Sequence, residues 1–149
     1  VHVCEIEIDP DTGVATIAKF TAIDDFGNII NPMIVEGQVH GGLTQGLAPA
    51  LFEEIVYDEN GQNLTGTFAD YLVPTAMESP KWETGHTITP SPHHPLGAKG
   101  VGESPTVGAP PAIVNAVVDA MWHLGVRHVE IPMTPERIWK ALREAGVNE

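Results

Sequence analysis

The sequence predicts one α+β domain in which a small mixed or antiparallel sheet packs with about three helices. Three observations carry this expectation. Residues 3–8 and 14–23 alternate apolar and polar side chains on either side of Asp9-Pro10-Asp11-Thr12-Gly13, the pattern of two strands joined by a turn. Three later segments space apolar residues three and four apart, as amphipathic helices do. The chain has 149 residues, 42% of them hydrophobic and 18% charged, which suits a globular unit with a core of its own. No repeat or low-complexity linker divides it, so residues 1–149 are read as a single domain.

Each element has a local reason. After the hairpin, Asp24-Asp25-Phe26-Gly27-Asn28 makes a turn, and Asn31-Pro32 supplies a helix start, with Asn as N-cap and Pro in the first turn. That helix runs from about Pro32 to Glu54 on the apolar positions Val35, Val39, Leu43, Leu47, Ala50 and Leu51, and Pro49 is expected to kink or interrupt it. A short strand over Glu54 to Tyr57 ends at Asp58-Glu59-Asn60-Gly61. From Thr84 to Pro111 the chain is rich in proline and glycine without helical period, and reads as one long ordered or functional loop. Pro110-Pro111 open a second helix with Ile113, Val117, Ala120, Met121 and Leu124 on one face, closing at Gly125. Val129 to Ile131 reads as a short strand. Thr134-Pro135-Glu136 begins a third helix that buries Ile138, Leu142 and Ala145 before Gly146 ends it.

Charge and composition exclude several functions. Twenty acidic against seven basic residues give a net charge of -13, which argues against nucleic acid or an anionic membrane as partner, because phosphate recognition needs clustered Lys and Arg. Cys4 is the single cysteine, so no internal disulfide, iron-sulfur site or four-cysteine zinc site can form from this chain. No run reaches the roughly 20 apolar residues of a membrane span, and Val1-His2-Val3-Cys4-Glu5 has no signal-peptide pattern. The cytoplasm is the expected location.

Two places stand out chemically. Glu103 lies in Leu96-Gly97-Ala98-Lys99-Gly100-Val101-Gly102-Glu103-Ser104-Pro105, where the glycines leave the backbone open to a ligand. A carboxylate so presented is a general base, an N-terminal helix charge or a solvated loop residue, and Lys99 either neutralises it or binds an anion. Gly37, Gly41, Gly42 and Gly46 fall within the first helix and together cost about 4 kcal/mol relative to Ala. They form a smooth stripe for another backbone or a flat ligand. Gln38, Gly42 and Gln45 share one face, where two amides suit a polar heterocycle or a metal-oxo group; tight helix packing is the plainer reading. No Gly-Lys-Ser/Thr phosphate loop, complete dinucleotide fingerprint or Gly-x-Ser-x-Gly elbow is present, and His93-His94 lacks a third metal ligand at a useful spacing. Asp24-Asp25 and Glu53-Glu54 read as turn and helix-end charges, and Trp122 and Trp139 as core or interface residues.

Taken in order, Gly37-Gln38-Val39-His40-Gly41-Gly42-Leu43-Thr44-Gln45-Gly46, Gly66-Thr67-Phe68-Ala69-Asp70-Tyr71, Thr89-Pro90-Ser91-Pro92 and Lys99-Gly100-Val101-Gly102-Glu103-Ser104 resemble the C-terminal part of the molybdenum-binding large subunit of the xanthine oxidase and aldehyde oxidase family, nearest the aerobic carbon monoxide dehydrogenase type. The likeness continues through Pro110-Pro111-Ala112 and Thr134-Pro135-Glu136-Arg137. It implies the C-terminal portion of a molybdopterin-binding domain, a fragment or split subunit of a larger catalytic subunit. By resemblance Glu103 is the active-site glutamate beside molybdenum, and Gln38 contacts the pterin. Gly41, Gly42, Gln45, Lys99, Gly100, Val101 and Gly102 complete the cofactor wall, and no residue ligates the metal directly. The implied cofactor is molybdenum-molybdopterin cytosine dinucleotide, with 2Fe-2S and FAD on partner subunits, and the implied reaction oxidises a small-molecule substrate with oxygen from water. The N-terminal remainder of the molybdenum subunit is the further expected partner, without which the isolated chain should be inactive. Pro105 stands where relatives usually have Gly, Pro49 interrupts a helix that normally continues, and Cys4 matches no copper-binding loop. A non-catalytic assembly module retaining the fold is the alternative.

Overall fold

The hairpin forms where the alternation predicts it. In the computed structural model, which describes residues 1–147, β1 (His2–Ile8) and β2 (Ala15–Asp25) pair antiparallel from His2↔Ala22 to Ile8↔Ala15, with a bulge between Glu5 and Ile6. Asp9 fastens the turn, its carboxylate accepting from the Asp11 amide at 2.9 Å and the Thr12 hydroxyl at 2.8 Å. Gly13 closes it at φ 72°, and a side chain there would run into Pro135 and the Trp139 backbone, so the turn sits directly on the last helix.

A third strand, β3 (Trp82–Thr87), pairs parallel with β2 from Phe20↔Trp82 to Asp25↔Thr87 and makes the sheet mixed, in the order β1-β2-β3. This corrects the loop expected from Thr84 onward. Trp82-Glu83-Thr84-Gly85-His86-Thr87 has no apolar alternation, and it becomes a strand because β2, about 62 residues earlier in sequence, offers a free edge.

The first helix, α1 (Pro32–Leu51), starts at the expected cap, where the Asn31 side chain accepts from the Ile34 amide at 3.2 Å. It ends at Leu51 rather than Glu54. Pro49 lies inside its last turn, and the partner it forgoes is the carbonyl of the exposed residue Gln45, a position water can satisfy. The strand expected over Glu54 to Tyr57 reduces to one bridge, Tyr57↔Asn63, which closes the Asp58–Gly61 turn. The second helix, α2 (Ser104–Met121), begins well before Pro110-Pro111 and carries both prolines in its interior. Residues 129–131 form no strand. Val129 is buried there as irregular chain, and Met133 donates its amide to the Ala50 carbonyl at 2.7 Å, satisfying one of the free carbonyls at the end of α1. The third helix, α3 (Pro135–Glu144), is capped by Thr134 as expected.

The helices meet the sheet on one core. Phe20 from β2, Leu43 and Leu47 from α1, Ile113, Val117 and Met121 from α2, and Ile138 from α3 are almost wholly buried together. Trp122 and Trp139 do not join them. Both reach the surface, each with an arginine over its ring, Arg127 at 3.7 Å and Arg143 at 4.9 Å. The stripe of glycines explains how α1 and α2 approach so closely. A side chain at Gly42 would meet Pro105 and Thr106 at 3.1 Å, and one at Gly46 would meet Ala109 at 2.8 Å and Pro110 at 3.0 Å. The plainer reading of those two glycines, tight helix packing, therefore holds.

Candidate functional site

The loop that carries the glycines is held from the end of β2 and the turn that follows it. The Asn28 amide donates to the Gly97 carbonyl at 3.0 Å, the Lys99 amide to the Phe26 carbonyl at 2.9 Å, and the Asn28 side chain to the Leu96 carbonyl at 2.9 Å. Asp25, at the end of β2, gathers the rest. Its carboxylate accepts from the Thr89 amide at 3.1 Å, the Gly27 amide at 2.9 Å, the Thr87 hydroxyl at 3.3 Å and the Lys99 ammonium at 3.0 Å. Thr89, then the Gly27 amide, with help from Lys99, hold the carboxyl far below the ordinary aspartate range. Lys99 thus neutralises Asp25, where the sequence suggested Glu103 or an anion.

Asp24, one residue back, faces the other way, as alternation along a strand requires. It accepts from the Ser104 hydroxyl at 3.0 Å and pairs with His2 Nε2 at 3.1 Å. The reading of Asp24-Asp25 as plain turn charges is corrected by these contacts. The two carboxylates tie the glycine loop and the start of α2 to the sheet. No local signal in the sequence marks these ties, because the residues they hold in the loop and in α2 lie 62 to 80 positions away. The helix-end reading of Glu53 and Glu54 needs a similar addition, since Glu53 accepts from the Tyr71 hydroxyl at 2.7 Å and Glu54 pairs with Arg137 at 2.6 Å.

Glu103 is the N-cap residue of α2, yet its side chain makes no capping bond and is exposed. Its carbonyl accepts from the Val107 amide at 3.1 Å, so the backbone is committed while the carboxylate is free to meet a ligand. Gln38 on α1 comes up beside it, its Oε1 3.8 Å from where a side chain on Gly102 would begin. Gly37, Gly41 and Gly100 have nothing within 4 Å on their side-chain faces, so these positions open outward. Gln45 is exposed two turns beyond Gln38. Val101 is half-buried and packs against the core. The four glycines of α1 therefore divide: Gly42 and Gly46 admit α2, while Gly37 and Gly41 leave a bare helix face beside Gln38 and the 100–103 loop.

Chemically this edge combines an acceptor and donor amide, exposed backbone and one uncommitted carboxylate. Such a set suits hydrogen bonding to a polar ring system with a proton acceptor at one end. Among the described residues no group of three or more His, Cys, Asp or Glu side chains is placed to hold a metal ion. His94 instead contacts the Ala98 carbonyl at 2.8 Å.

The first 80 residues match the family described as the molybdopterin cofactor-binding domain. The chain belongs to that family. It is 53% identical, over 97% of its length, to the carbon monoxide dehydrogenase large chain of Hydrogenophaga pseudoflava, and spans 18% of that protein. The crystal structure of a Cu,Mo-CO dehydrogenase in its carbon monoxide reduced state superposes with a TM-score of 0.95 at 54% identity, covering 98% of this chain and 18% of that one. Quinoline 2-oxidoreductase from Pseudomonas putida 86 superposes at 0.87 and 46% identity, covering 93% of this chain and again 18% of the other. The chain thus spans under a fifth of the length of these relatives. The mixed sheet and three helices are the α+β portion of the molybdopterin-binding domain that the motifs imply. Among the described residues no helix is long and apolar enough to cross a membrane.

Proposed function

We propose that this chain forms one wall of the cofactor site in a molybdenum hydroxylase, with Glu103 as the general base. The observation that carries the reading is the exposed carboxylate of Glu103, unused as a helix cap and set beside Gln38 and the open backbone of Gly100 and Gly102. The donor set fits the pterin part of molybdopterin, here in the cytosine dinucleotide form: Gln38 offers an amide to a heterocycle, and the bare faces of Gly37 and Gly41 leave the clearance that a flat ring needs. Gly42 supports this wall from behind, through the Thr106 hydroxyl that donates to its carbonyl at 3.1 Å. Gln45 extends the polar face, and Lys99 secures the loop through Asp25. The bound cofactor would supply the two-electron redox chemistry; Glu103 would take the proton from the oxygen nucleophile derived from water, without itself ligating the metal.

The remaining walls come from the rest of a molybdenum subunit, and electrons leave through 2Fe-2S and FAD partner subunits. The isolated chain is therefore inactive. The relatives act on carbon monoxide and on quinoline by name, so the substrate is a small molecule set by the other walls. In the assembled enzyme, dye-linked oxidation of carbon monoxide, aldehydes and N-heterocycles measures activity, and Glu103→Gln should lower kcat by about a hundredfold or more, from the lower end of the usual range for a positioned base upward, with molybdenum retained. Full activity in that variant would sink the assignment.

A further inference from the structure

Glu103 has no anchor of its own, so its aim depends on how α2 is rotated about its axis. Four contacts on the first turns of that helix fix the rotation. Pro105 is buried against Gly42, and the Thr106 hydroxyl donates to the Gly42 carbonyl. Gly108 has no side chain because the imidazole of His2 occupies that space. The fourth contact is the Ser104 hydroxyl on Asp24. Of these it lies nearest in sequence to Glu103, and it ties α2 to the sheet.

Asp24 is built to serve as that anchor. Its Oδ1 accepts from Ser104 and its Oδ2 from His2, so both oxygens are spent and its side chain is held between β1 and α2. Because an ionised carboxylate can only accept, His2 must carry its proton on Nε2, which leaves Nδ1 as a buried nitrogen without a partner against Gly108. The His2 ring is itself wedged edge-on against Phe20, at 5.7 Å between centroids. Ser104 directly follows Glu103 at the very start of α2, ahead of the other three contacts, so its release from Asp24 loosens the end of the helix from which the Glu103 carboxylate projects.

We infer that Asp24 is a positioning residue for Glu103, acting through Ser104 and braced by His2. The inference rests on Glu103 being the base, and it adds the network that aims it. A displacement of about 1 Å at a reacting group can cost about a hundredfold in rate, so loss of the anchor should be read in kcat.

The test uses the assembled holoenzyme that contains this chain. Ser104→Ala and Asp24→Ala should each lower kcat about ten- to a hundredfold while KM stays within about twofold, the signature of a misaimed group rather than lost binding. Molybdenum content should equal that of the wild type, and Ser104→Thr, which restores the hydroxyl, should recover kcat to within about threefold. Ser104→Ala placed on Glu103→Gln should add no further loss, because there is then no carboxylate to aim. Wild-type kcat in Ser104→Ala alongside an inactive Glu103→Gln would overturn the positioning role alone. So would loss of molybdenum in Ser104→Ala, which would make the contact one of cofactor retention, or additive losses in the double variant. Should Asp24→Ala fail to assemble, the Ser104 pair decides. A fully active Glu103→Gln would instead overturn the base on which the inference stands.

Discussion

Gly41→Ala and Gly46→Ala make the same covalent change on the same helix, one position in open space and the other in the α1–α2 contact, and should move stability differently. An alanine at Gly41 meets nothing within 4 Å, so it contributes the ordinary helix gain of about 1 kcal/mol, much of it by restricting the unfolded chain. An alanine at Gly46 brings the same gain but places its Cβ 2.8 Å from Ala109 Cβ, 3.0 Å from Pro110 Cδ and 3.0 Å from the Thr106 carbonyl oxygen. None of these is the end of a flexible side chain. Carbon atoms want about 3.5–4.0 Å, so the two helices must part by up to about 1 Å along their most tightly packed line. Overpacking of this kind costs about 1–3 kcal/mol. Because the propensity gain cancels between the two variants, their difference isolates the packing cost. Gly41→Ala should therefore exceed Gly46→Ala by about 1–3 kcal/mol, or about 2–12 °C in Tm for a chain of this length. Chemical and thermal unfolding of the chain followed by circular dichroism measures both. Equal stability, or a more stable Gly46→Ala, would refute the packing argument. In the assembled enzyme the more stable Gly41→Ala should carry less molybdenum, since its methyl group enters the proposed cofactor face.

Gly13→Ala should cost about 2–5 kcal/mol, combining the strain of a left-handed backbone at φ 72° with a clash against Pro135 and Trp139, and denaturant unfolding measures it. Asp25 has its folded pKa depressed, so the stability it contributes is present above the ordinary aspartate value of 3.8 and is lost as pH falls below that value toward the folded one. The stability difference between wild type and Asp25→Asn should accordingly stay flat from neutral pH to about 5 and shrink below pH 4, as unfolding titrations at several pH values would reveal. Burial, with the Glu5 charge beside it, pushes the Cys4 thiol from 9.0 up to about 11. That lowers its thiolate fraction at neutral pH about a hundredfold, and alkylation by iodoacetamide should slow by at least that factor until the chain is unfolded.

Much of the fold was legible because it follows local rules. Alternation and the Asp9–Gly13 turn specify the hairpin, Asn31-Pro32 and Thr134-Pro135 mark helix starts by satisfying free amides, and the three-and-four spacing picks out the buried faces of all three helices. Where local rules and packing disagreed, packing prevailed. Pro110-Pro111 read as a helix start, yet α2 runs through them. Thr106 and Val107, whose carbonyls the two prolines leave unpaired, lie in the same stretch that packs against Gly42 and Gly46. The 54–57 and 129–131 segments carry strand-forming residues but join no sheet, the first pairing only through the Tyr57↔Asn63 bridge. For the candidate site, Glu103, Gln38 and the glycines announced themselves by residue type and motif, whereas Asp24 and Asp25 were indistinguishable from turn charges.

The sequence by itself determined which residues could do chemistry, since a carboxylate among glycines and an amide beside a bare helix face are properties of side chains at fixed short spacings. It also determined the hairpin, the helix caps and the amphipathic faces, each set by interactions within a few residues. Only the tertiary structure decided how those pieces are aimed. The parallel pairing of β3, the separation of Gly41 from Gly42 into an open face and a packed one, and the grip of Asp24 and Asp25 on α2 and the glycine loop all join residues tens of positions apart. Such contacts depend on which surfaces the core brings together, and no local pattern in the chain encodes them.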